Sequence, residues 1–335
     1  MNQEELKKLA ELAIAQQKRL IDFKDERIKE LLRLYADFLQ ELEKELSHLY
    51  TKTSLDSEGD SWDWHQIRRG KDLEAIMLQV TAGITYITRE AIAMTTASVK
   101  AAATVDYAFT SYVVAGHLEG YILVPPVIPQ RAITKLATKE WETGHFSKNL
   151  WGKTKNFEKN VRKTLVESMQ RGESFRKTTV KLQKQIGQEA YKSERIVRTE
   201  IITASNDAKK EYMTDFEKRC NDLDMSLLNG MRILETLDNR TCPKCRAMDG
   251  REVTVEKAEG IAAVEHPNCR RTFVAVVKGF DNSNRQRAAR NLETGKTYRT
   301  DAKNFEEYAK EQNVSSAADY NKQFRKEKKQ ETREE

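Results

Sequence analysis

The sequence predicts a mainly α-helical protein that carries a small α/β module near its C-terminal end. Proline is absent from residues 1–124 and from residues 130–242, so long helices are permitted in both stretches. Apolar residues recur there at steps of three and four, the period of a helix with one buried face. After Gly230 the apolar residues alternate instead, as they do in strands.

Length and composition place the chain among folded proteins of two or three domains. Its 335 residues are enough for each domain to bury a core. The hydrophobic fraction of 39% lies above the disordered range, although 33% of the residues are charged. Three of the four cysteines fall within residues 242–269, so a reducing compartment fits better than a disulfide scaffold.

Nothing in the sequence predicts a membrane-spanning helix. Residues 1–30 are charged throughout and do not have the form of a secretory signal. The longest uncharged run near the middle covers residues 75–88, and its fourteen residues are too few to cross a bilayer. We therefore expect a soluble protein.

Two long helices are expected in the N-terminal part. The first covers residues 3–50, where Leu31 and Leu42 belong to an apolar face between charged residues. Residues 51–72 are expected to form a polar loop, and the second helix runs from residue 73 to about 114. That helix is rich in alanine, isoleucine and threonine, so neighbouring helices should cover most of its circumference.

The central part is expected to be helical and basic. Residues 121–130, YILVPPVIPQ, look extended and mark a domain boundary, because proline disfavours helix in the residue before it. Helices are then expected to resume near residue 132 and to cover residues 156–170, 174–187 and 193–220. Ser174 is a candidate N-cap, and Gly187 is a candidate helix end.

Three strands are expected in the module, over residues 231–236, 251–255 and 271–279, where β-branched residues alternate. The predicted organisation is an N-terminal helical region of residues 1–120, a proline-rich connector of residues 121–131, a central helical and basic part of residues 132–228, a small β-containing module of residues 229–280 and a polar C-terminal tail of residues 281–335. The last residues, 325–335, are expected to be frayed.

Four potential metal ligands stand in the loops of this module. Cys242 and Cys245 are separated by two residues, and His266 and Cys269 repeat that spacing after an interval of twenty residues. Three thiolates and one imidazole complete a tetrahedral Zn²⁺ shell. The predicted fold class is therefore mainly α, with long N-terminal and central helices and a small zinc-stapled α/β module. Reduced cysteines that bind no metal are the other interpretation, and Cys220 is expected to be an ordinary buried thiol.

The zinc is expected to be structural. A catalytic zinc keeps one coordination position open for water, whereas four protein ligands fill this one. The alternative is a zinc-containing DNA-processing enzyme, such as a nuclease of the His-Asn-His kind, which needs a histidine free to act as general base. His266 is the only histidine after His145, and the zinc shell would occupy it. We therefore expect no enzymatic activity.

Several stretches together resemble one family. They are Arg198-Thr199-Glu200 with the helical stretch IITASNDAK that follows, LDNRTCPKCRAMDG at residues 237–250, HPNCR at residues 266–270 and the helical stretch of residues 146–182. These residues resemble the phage Mu protein F-like minor head proteins, also called head morphogenesis or minor capsid proteins of tailed phages. The resemblance covers about residues 140–280. Arg271 is a departure, because family members often have a cysteine there.

The resemblance implies a protein of the virion. Family members are made beside the portal protein and are incorporated in a few copies inside the head near the portal, where they assist head assembly and DNA packaging or delivery. For this chain the resemblance implies partners among portal, capsid or scaffolding proteins, and non-specific contact with packaged double-stranded DNA. The implied location is the head interior near the portal, after assembly in the host cytoplasm.

A basic stretch precedes the module. Residues 139–198 hold fifteen Lys or Arg and seven Asp or Glu. Candidate contacts to DNA phosphates are Lys153, Lys155, Lys159, Arg162, Lys163, Arg176, Lys177, Lys181 and Lys184. A solvated or portal-facing surface is the alternative. Arg198 is expected to pair with Glu194, four residues earlier on the same helix face, and to anchor this helix against the module.

Overall fold

The structure, a computed structural model, describes residues 3–53, 71–118, 122–137, 146–279 and 286–314, and for residues 3–21 the backbone alone. The predicted fold class is confirmed as mainly helical, with 68% helix, 9% strand and a small cysteine-rich module near the C-terminal end. None of the described helices has an apolar stretch of the length that crossing a membrane requires.

The three predicted strands of the module are present, but two short helices that were not predicted from the sequence lie between them, and further elements follow residue 280. The described helices are α1 (Gln3–Thr53), α2 (Asp72–His117), α3 (Gln130–Ala137), α4 (Phe146–Gln170), α5 (Phe175–Asp222), α6 (Pro243–Met248), α7 (Val255–Glu259) and α8 (Phe305–Glu311). The described strands are β1 (Leu228–Leu234), β2 (Glu252–Val253), β3 (Thr272–Val277), β4 (Arg287–Arg290) and β5 (Thr297–Thr300).

The chain divides into two compact units. The first unit comprises Met1–Lys18, Lys100–Leu136 and Ile202–Glu335, and the second unit comprises Arg19–Val99 and Ala137–Ile201. All four potential metal ligands belong to the first unit, whereas the basic candidates from Lys153 to Lys184 belong to the second.

In the second unit, α4 buries the apolar face that the sequence predicts. Its buried residues include Phe157, Val161, Leu165 and Met169, which follow one another at four-residue steps. Two tyrosines of α1 add buried hydrogen bonds. The hydroxyl groups of Tyr35 and Ser193 share one at 2.8 Å, and the Tyr50 hydroxyl donates to the carbonyl oxygen of Glu173 at 2.7 Å. The second unit is therefore held by apolar packing and by polar contacts between distant parts of the sequence.

The prediction of two separate helices over residues 174–187 and 193–220 is wrong, because both belong to the single helix α5. Ser193 is buried, and its hydroxyl bonds to Tyr35 rather than capping a new helix. Gly187 has open space around it and does not adopt a positive φ. Ser174 does act as the N-cap of α5, since its Oγ accepts a hydrogen bond from the Lys177 N–H at 3.3 Å.

In the first unit, an antiparallel sheet of order β2–β1–β3 packs against the C-terminal half of α5. Met231 of β1 is paired with Val253 on one side and with Ala275 on the other. The buried core shared by the sheet and α5 includes Tyr212, Met213, Phe216, Met231, Ile233 and Phe273. Residues 122–129 contain no helix, as predicted for the connector.

The prediction of a polar tail from residue 281 is wrong for residues 286–314. Strands β4 and β5 form a hairpin, and α8 follows it. The few apolar residues of this stretch converge on one small core, which contains Leu237, Ala289, Ala302, Phe305, Tyr308 and Val314. The residues expected to be frayed, 325–335, lie outside the described residues, as do residues 54–70 of the expected polar loop.

The continuity of α5 can be tested at Gly187. We expect Gly187→Ala to raise the free energy of unfolding by about 0.5–1 kcal/mol, because alanine is the better residue in a helix interior with free space. Chemical denaturation of the variant and of the wild-type protein measures the change.

Gly172 provides the matched control, because it also has open space but adopts a φ of +60° between α4 and α5. We expect Gly172→Ala to lower the free energy of unfolding by about 1–2 kcal/mol, the cost of a left-handed conformation for a side chain. A loss of stability in Gly187→Ala would contradict the continuous helix.

Candidate metal centre

The first pair of cysteines is placed by the start of α6. Cys242 is the N-cap of this helix, with an extended backbone, and Pro243 follows in its first turn. Proline suits this position because the missing N–H would have no partner there. The Cys245 N–H points to the Cys242 sulfur at 3.5 Å. The short helix therefore turns both sulfur atoms toward the same side.

The second pair is placed by a tight turn. The Cys269 N–H donates to the carbonyl oxygen of His266 at 3.0 Å, and Asn268 adopts a positive φ of 66° between them. Nδ1 of His266 lies 2.9 Å from the carbonyl oxygen of Pro267. This contact suits a metal ligand, because ligating histidines usually donate their second ring N–H to an acceptor and present the other nitrogen to the ion.

The four predicted ligands fall into two groups that share Cys245: Cys242 and His266 form one group with it, and Cys269 forms the other together with it and Glu235. The Cys245 sulfur lies 3.6 Å from His266 Nε2 and 3.7 Å from the Cys269 sulfur, and His266 Nε2 lies 3.1 Å from the Cys242 sulfur. In a tetrahedral zinc shell the corresponding distances are about 3.8 Å between two sulfurs and about 3.6 Å between sulfur and nitrogen. Two of these three distances fit this shell closely, and three cysteines with one histidine are a donor set that zinc prefers. Cys269 lies within reach of Cys245 but outside the group of Cys242 and His266.

The pKa values of the two buried thiols are also consistent with a metal site. Cys245 and Cys269 are both buried. The hydrogen bond from Cys245 lowers the pKa of the Cys269 thiol to about 5, and this bond together with burial raises the pKa of Cys245. Within this pair the shifts favour the deprotonated form of Cys269 over that of Cys245. A bound cation would favour the deprotonated form of both.

Sequence reasoning missed a buried ion pair beside these cysteines. Glu235 and Arg271 have side chains that are each 1% exposed, and Arg271 Nε donates to Glu235 Oε1 at 2.6 Å. The Glu235 carboxylate lies within 4.8 Å of the sulfurs of Cys245 and Cys269. Burial raises the pKa of Glu235 to about 7, and Arg271 acts against this shift. No spacing rule points to the pair, because its members are 36 residues apart.

The remaining polar residues of the 237–250 stretch support the loops. Asp238 accepts two hydrogen bonds from Arg270. Asp249 accepts one from the Glu235 N–H at 2.7 Å and two from Arg287, at 3.0 Å and 2.9 Å. These bonds tie the turns that carry the cysteines to β4.

Several side chains of α5 bond to the module, among them Asn206, Lys209 and Lys210. The Asn206 amide donates to the carbonyl oxygens of Ala263 and Arg271, both at 2.8 Å. Lys209 donates to Thr272 Oγ1 at 2.9 Å, and the Lys210 ammonium lies 4.5 Å from the centre of the Phe273 ring. The sequence predicted Arg198 for this anchoring, whereas these contacts come from residues 206–210 of the same helix.

Arg198 has the local partner that its spacing predicts. Its Nη2 lies 2.6 Å from Glu194 Oε1, four residues earlier on the same helix. Thr199 also bonds within α5, where its hydroxyl donates to the carbonyl oxygen of Arg195 at 2.6 Å. Glu200 lies on the next position of the same helix. These contacts give Arg198 and Thr199 a structural role.

Three of the nine basic candidates form contacts within the second unit. Arg162 donates to Glu158, to Thr81 and to the carbonyl oxygen of Met77. Lys177 and Lys181 both pair with the buried Glu173, and the Lys181 ammonium lowers the pKa of that carboxyl to about 2. These three cations therefore serve the second unit itself.

Five of the other six basic candidates are exposed, and the sixth is half-buried. Lys153 is half-buried, and burial lowers its pKa. Lys163 is exposed and lies 3.6 Å from Glu167. Exposed candidates that form no salt bridge with a described residue are Lys155, Lys159, Arg176 and Lys184. Lys155, Lys159 and Lys163 follow one another at four-residue steps and therefore share one face of α4.

The fold and the site define a class of protein, a helical protein whose small β module carries a cluster of three cysteines and one histidine. The sequence model of the family described as phage Mu protein F like protein matches residues 159–274. Residues 159–274 therefore form a domain of this family, which confirms the resemblance over that part of the chain and suggests a phage head morphogenesis protein. The searches of curated proteins and of solved structures gave no match.

Zinc binding can be tested by elemental analysis. We expect about one zinc ion per chain in the wild-type protein and loss of that zinc in Cys245→Ser, because Cys245 contacts two of the other three ligands. Cys220→Ala is the matched control, since Cys220 is also a buried thiol but lies in α5. Zinc absent from the wild-type protein, or lost equally in the control, would contradict the assignment.

Proposed function

We propose that this chain is a minor capsid and head morphogenesis protein of a tailed bacteriophage. It would be incorporated in few copies inside the head near the portal, where it assists head assembly and DNA packaging or delivery. The family match over residues 159–274 carries this proposal. The match includes the basic face of α4 from Lys159 onward, all of α5 and all four potential metal ligands.

We further propose that the bound zinc is structural and that the protein is not an enzyme. Both ring nitrogens of His266 are engaged, Nε2 by cysteine sulfurs and Nδ1 by the Pro267 carbonyl. The other histidines that the structure describes, His48 and His117, lie in α1 and α2. His117 Nδ1 contacts the carbonyl oxygen of Val113. This arrangement favours a structural staple over a nuclease, which needs a free general base.

Contact with packaged DNA is supported by the exposed lysines of α4. Lys155 and Lys159 are exposed on the face that they share with Lys163, and neither forms a salt bridge with a described residue. Cations that are not neutralised by carboxylates can displace the counter-ions of DNA phosphates. No base-reading motif accompanies them, so the expected contact is independent of DNA sequence.

The assembly role can be tested by co-production with head proteins. We expect the gene beside this one to encode a portal protein, and we expect the chain to co-purify with portal assemblies when both are made in one bacterial host. Size-exclusion chromatography followed by mass spectrometry measures the association. Portal assemblies that form and purify without the chain, in every combination with capsid and scaffolding proteins, would contradict the proposal.

DNA contact can be tested through its salt dependence. For Lys155→Glu combined with Lys159→Glu, we expect weaker binding to duplex DNA and a slope of log K against log salt that is shallower by about 2, since each lost phosphate contact removes about 0.9. Fluorescence anisotropy with duplexes of unrelated sequence measures both quantities.

The control is Lys29→Glu combined with Lys44→Glu, which makes the same change of charge at exposed positions of α1. An equal loss of binding in the control would show a net-charge effect and would contradict DNA binding by the exposed lysines of α4.

The nuclease alternative is tested by incubating the protein with plasmid DNA and Mg²⁺ or Mn²⁺. Cleavage that is abolished by His266→Ala but kept by Cys245→Ala would favour the nuclease.

A further inference from the structure

The ion pair between Glu235 and Arg271 shares a buried site with two of the metal ligands. Both side chains are 1% exposed, and the Glu235 carboxylate lies within 4.8 Å of the sulfurs of Cys245 and Cys269. The backbone N–H of Arg271 also bonds to the Cys269 sulfur. One arginine is thus placed against a carboxylate and a pair of thiols, away from water.

The charges of a metal-loaded site would not balance without this arginine. A Zn²⁺ ion with three thiolates and one neutral imidazole carries a net charge of −1, and the Glu235 carboxylate adds a second negative charge beside it. Repulsion between buried like charges is strong because little water screens it. Arg271 supplies a cation at that place, whereas the neighbouring Arg270 is committed to Asp238 by two hydrogen bonds.

One nitrogen of the Arg271 guanidinium has no hydrogen-bond acceptor in the part of the chain that the structure describes. Its Nε donates to Glu235, and its Nη1 donates to the carbonyl oxygen of Ala262 at 3.1 Å. Its Nη2 is buried and has no hydrogen-bond partner among the described residues. A buried N–H without an acceptor is unfavourable, and negatively charged sulfur would lower that cost. No hydrogen bond joins Nη2 to the sulfurs, so the guanidinium would act on the thiolates through its charge while it is hydrogen-bonded to Glu235.

We propose that Arg271 is the counter-ion of the zinc–thiolate cluster, a positioning residue whose charge keeps the metal bound while Glu235 holds its guanidinium in place. This inference rests on the proposed zinc site. It assigns different roles to the two members of the ion pair. The charge of Arg271 is needed for zinc retention, whereas the charge of Glu235 is not.

The test compares three variants at pH 8, starting from purified protein loaded with zinc. Arg271→Met removes the cation at similar volume, and we expect zinc to be lost to excess chelator about 10–100-fold faster, the range typical of outer-shell partners. Glu235→Gln breaks the same ion pair but keeps an oxygen that can accept from Arg271 Nε, so we expect zinc loss no faster than in the wild-type protein. Arg271→Lys keeps the positive charge but lacks the planar guanidinium. We expect its rate of zinc loss to lie between that of Arg271→Met and that of the wild-type protein.

Glu235→Gln is also the matched control for damage to the fold, because both single changes disrupt the same buried pair. Denaturant unfolding of each variant is measured beside its zinc loss. Equal acceleration of zinc loss in Arg271→Met and Glu235→Gln would overturn the proposal and leave a purely structural ion pair. Wild-type retention in Arg271→Met would overturn it as well. If Arg271→Met does not fold, faster zinc loss in Glu235→Gln than in Arg271→Lys is the overturning result.

These outcomes are distinct from failure of the zinc assignment itself. If the wild-type protein contains no zinc after purification and binds none on titration, the proposed metal site is wrong before any variant is compared. If the wild-type protein holds zinc and the variants do not differ, only the counter-ion role is wrong.

Discussion

The two pairs of potential ligands, Cys242 with Cys245 and His266 with Cys269, meet at the sulfur of Cys245, and in our proposal this meeting point is the constraint on which the C-terminal module depends. The sheet around it is small, since β2 has two residues and pairs through only Met231 and Arg232 of β1. A sheet of this size buries too little apolar surface to fix its own long loops. In the proposed site, an ion would join the start of α6 to the turn before β3 and so tie together segments that are far apart in the sequence. Structural zinc contributes roughly 10–16 kcal/mol to the folding of small zinc peptides, which is enough to decide whether such a module is ordered.

The polar residues around the cysteines connect these loops to other elements of the first unit. Asp249 links the turn after α6 to Arg287 of β4, and Arg246 stacks against the ring of Phe305 in α8 at 4.9 Å. Asn206 reaches the same region from α5 through two backbone carbonyls. Buried polar groups are stable only when such bonds are satisfied, so these contacts give the polar residues of this stretch a structural role.

The long helices could be predicted from the sequence, but the contacts between distant residues could not. The absence of proline and a regular apolar period predicted α1, α2 and the buried face of α4. Two repeated spacings pointed to four potential ligands, and the structure places three of them, Cys242, Cys245 and His266, in one group. The break proposed before Ser193 failed because its hydroxyl bonds to Tyr35, 158 residues earlier, and no local pattern reports such a partner. The folded stretch after residue 286 was missed because its apolar residues are few and complete a core with Leu237. The ion pair of Glu235 and Arg271 was missed for a different reason: charged residues in a sequence are expected at the surface, whereas these two are buried.

Hydrogen exchange of residues 228–277, followed by mass spectrometry with and without a chelator, tests the central claim most directly. We expect the amides of β1 and β3 to be strongly protected in the zinc-loaded protein and to lose that protection when the metal is removed, while α4 in the second unit keeps its own. Protection of β1 and β3 that is unchanged by complete removal of metal would contradict the claim that the ion holds this module together.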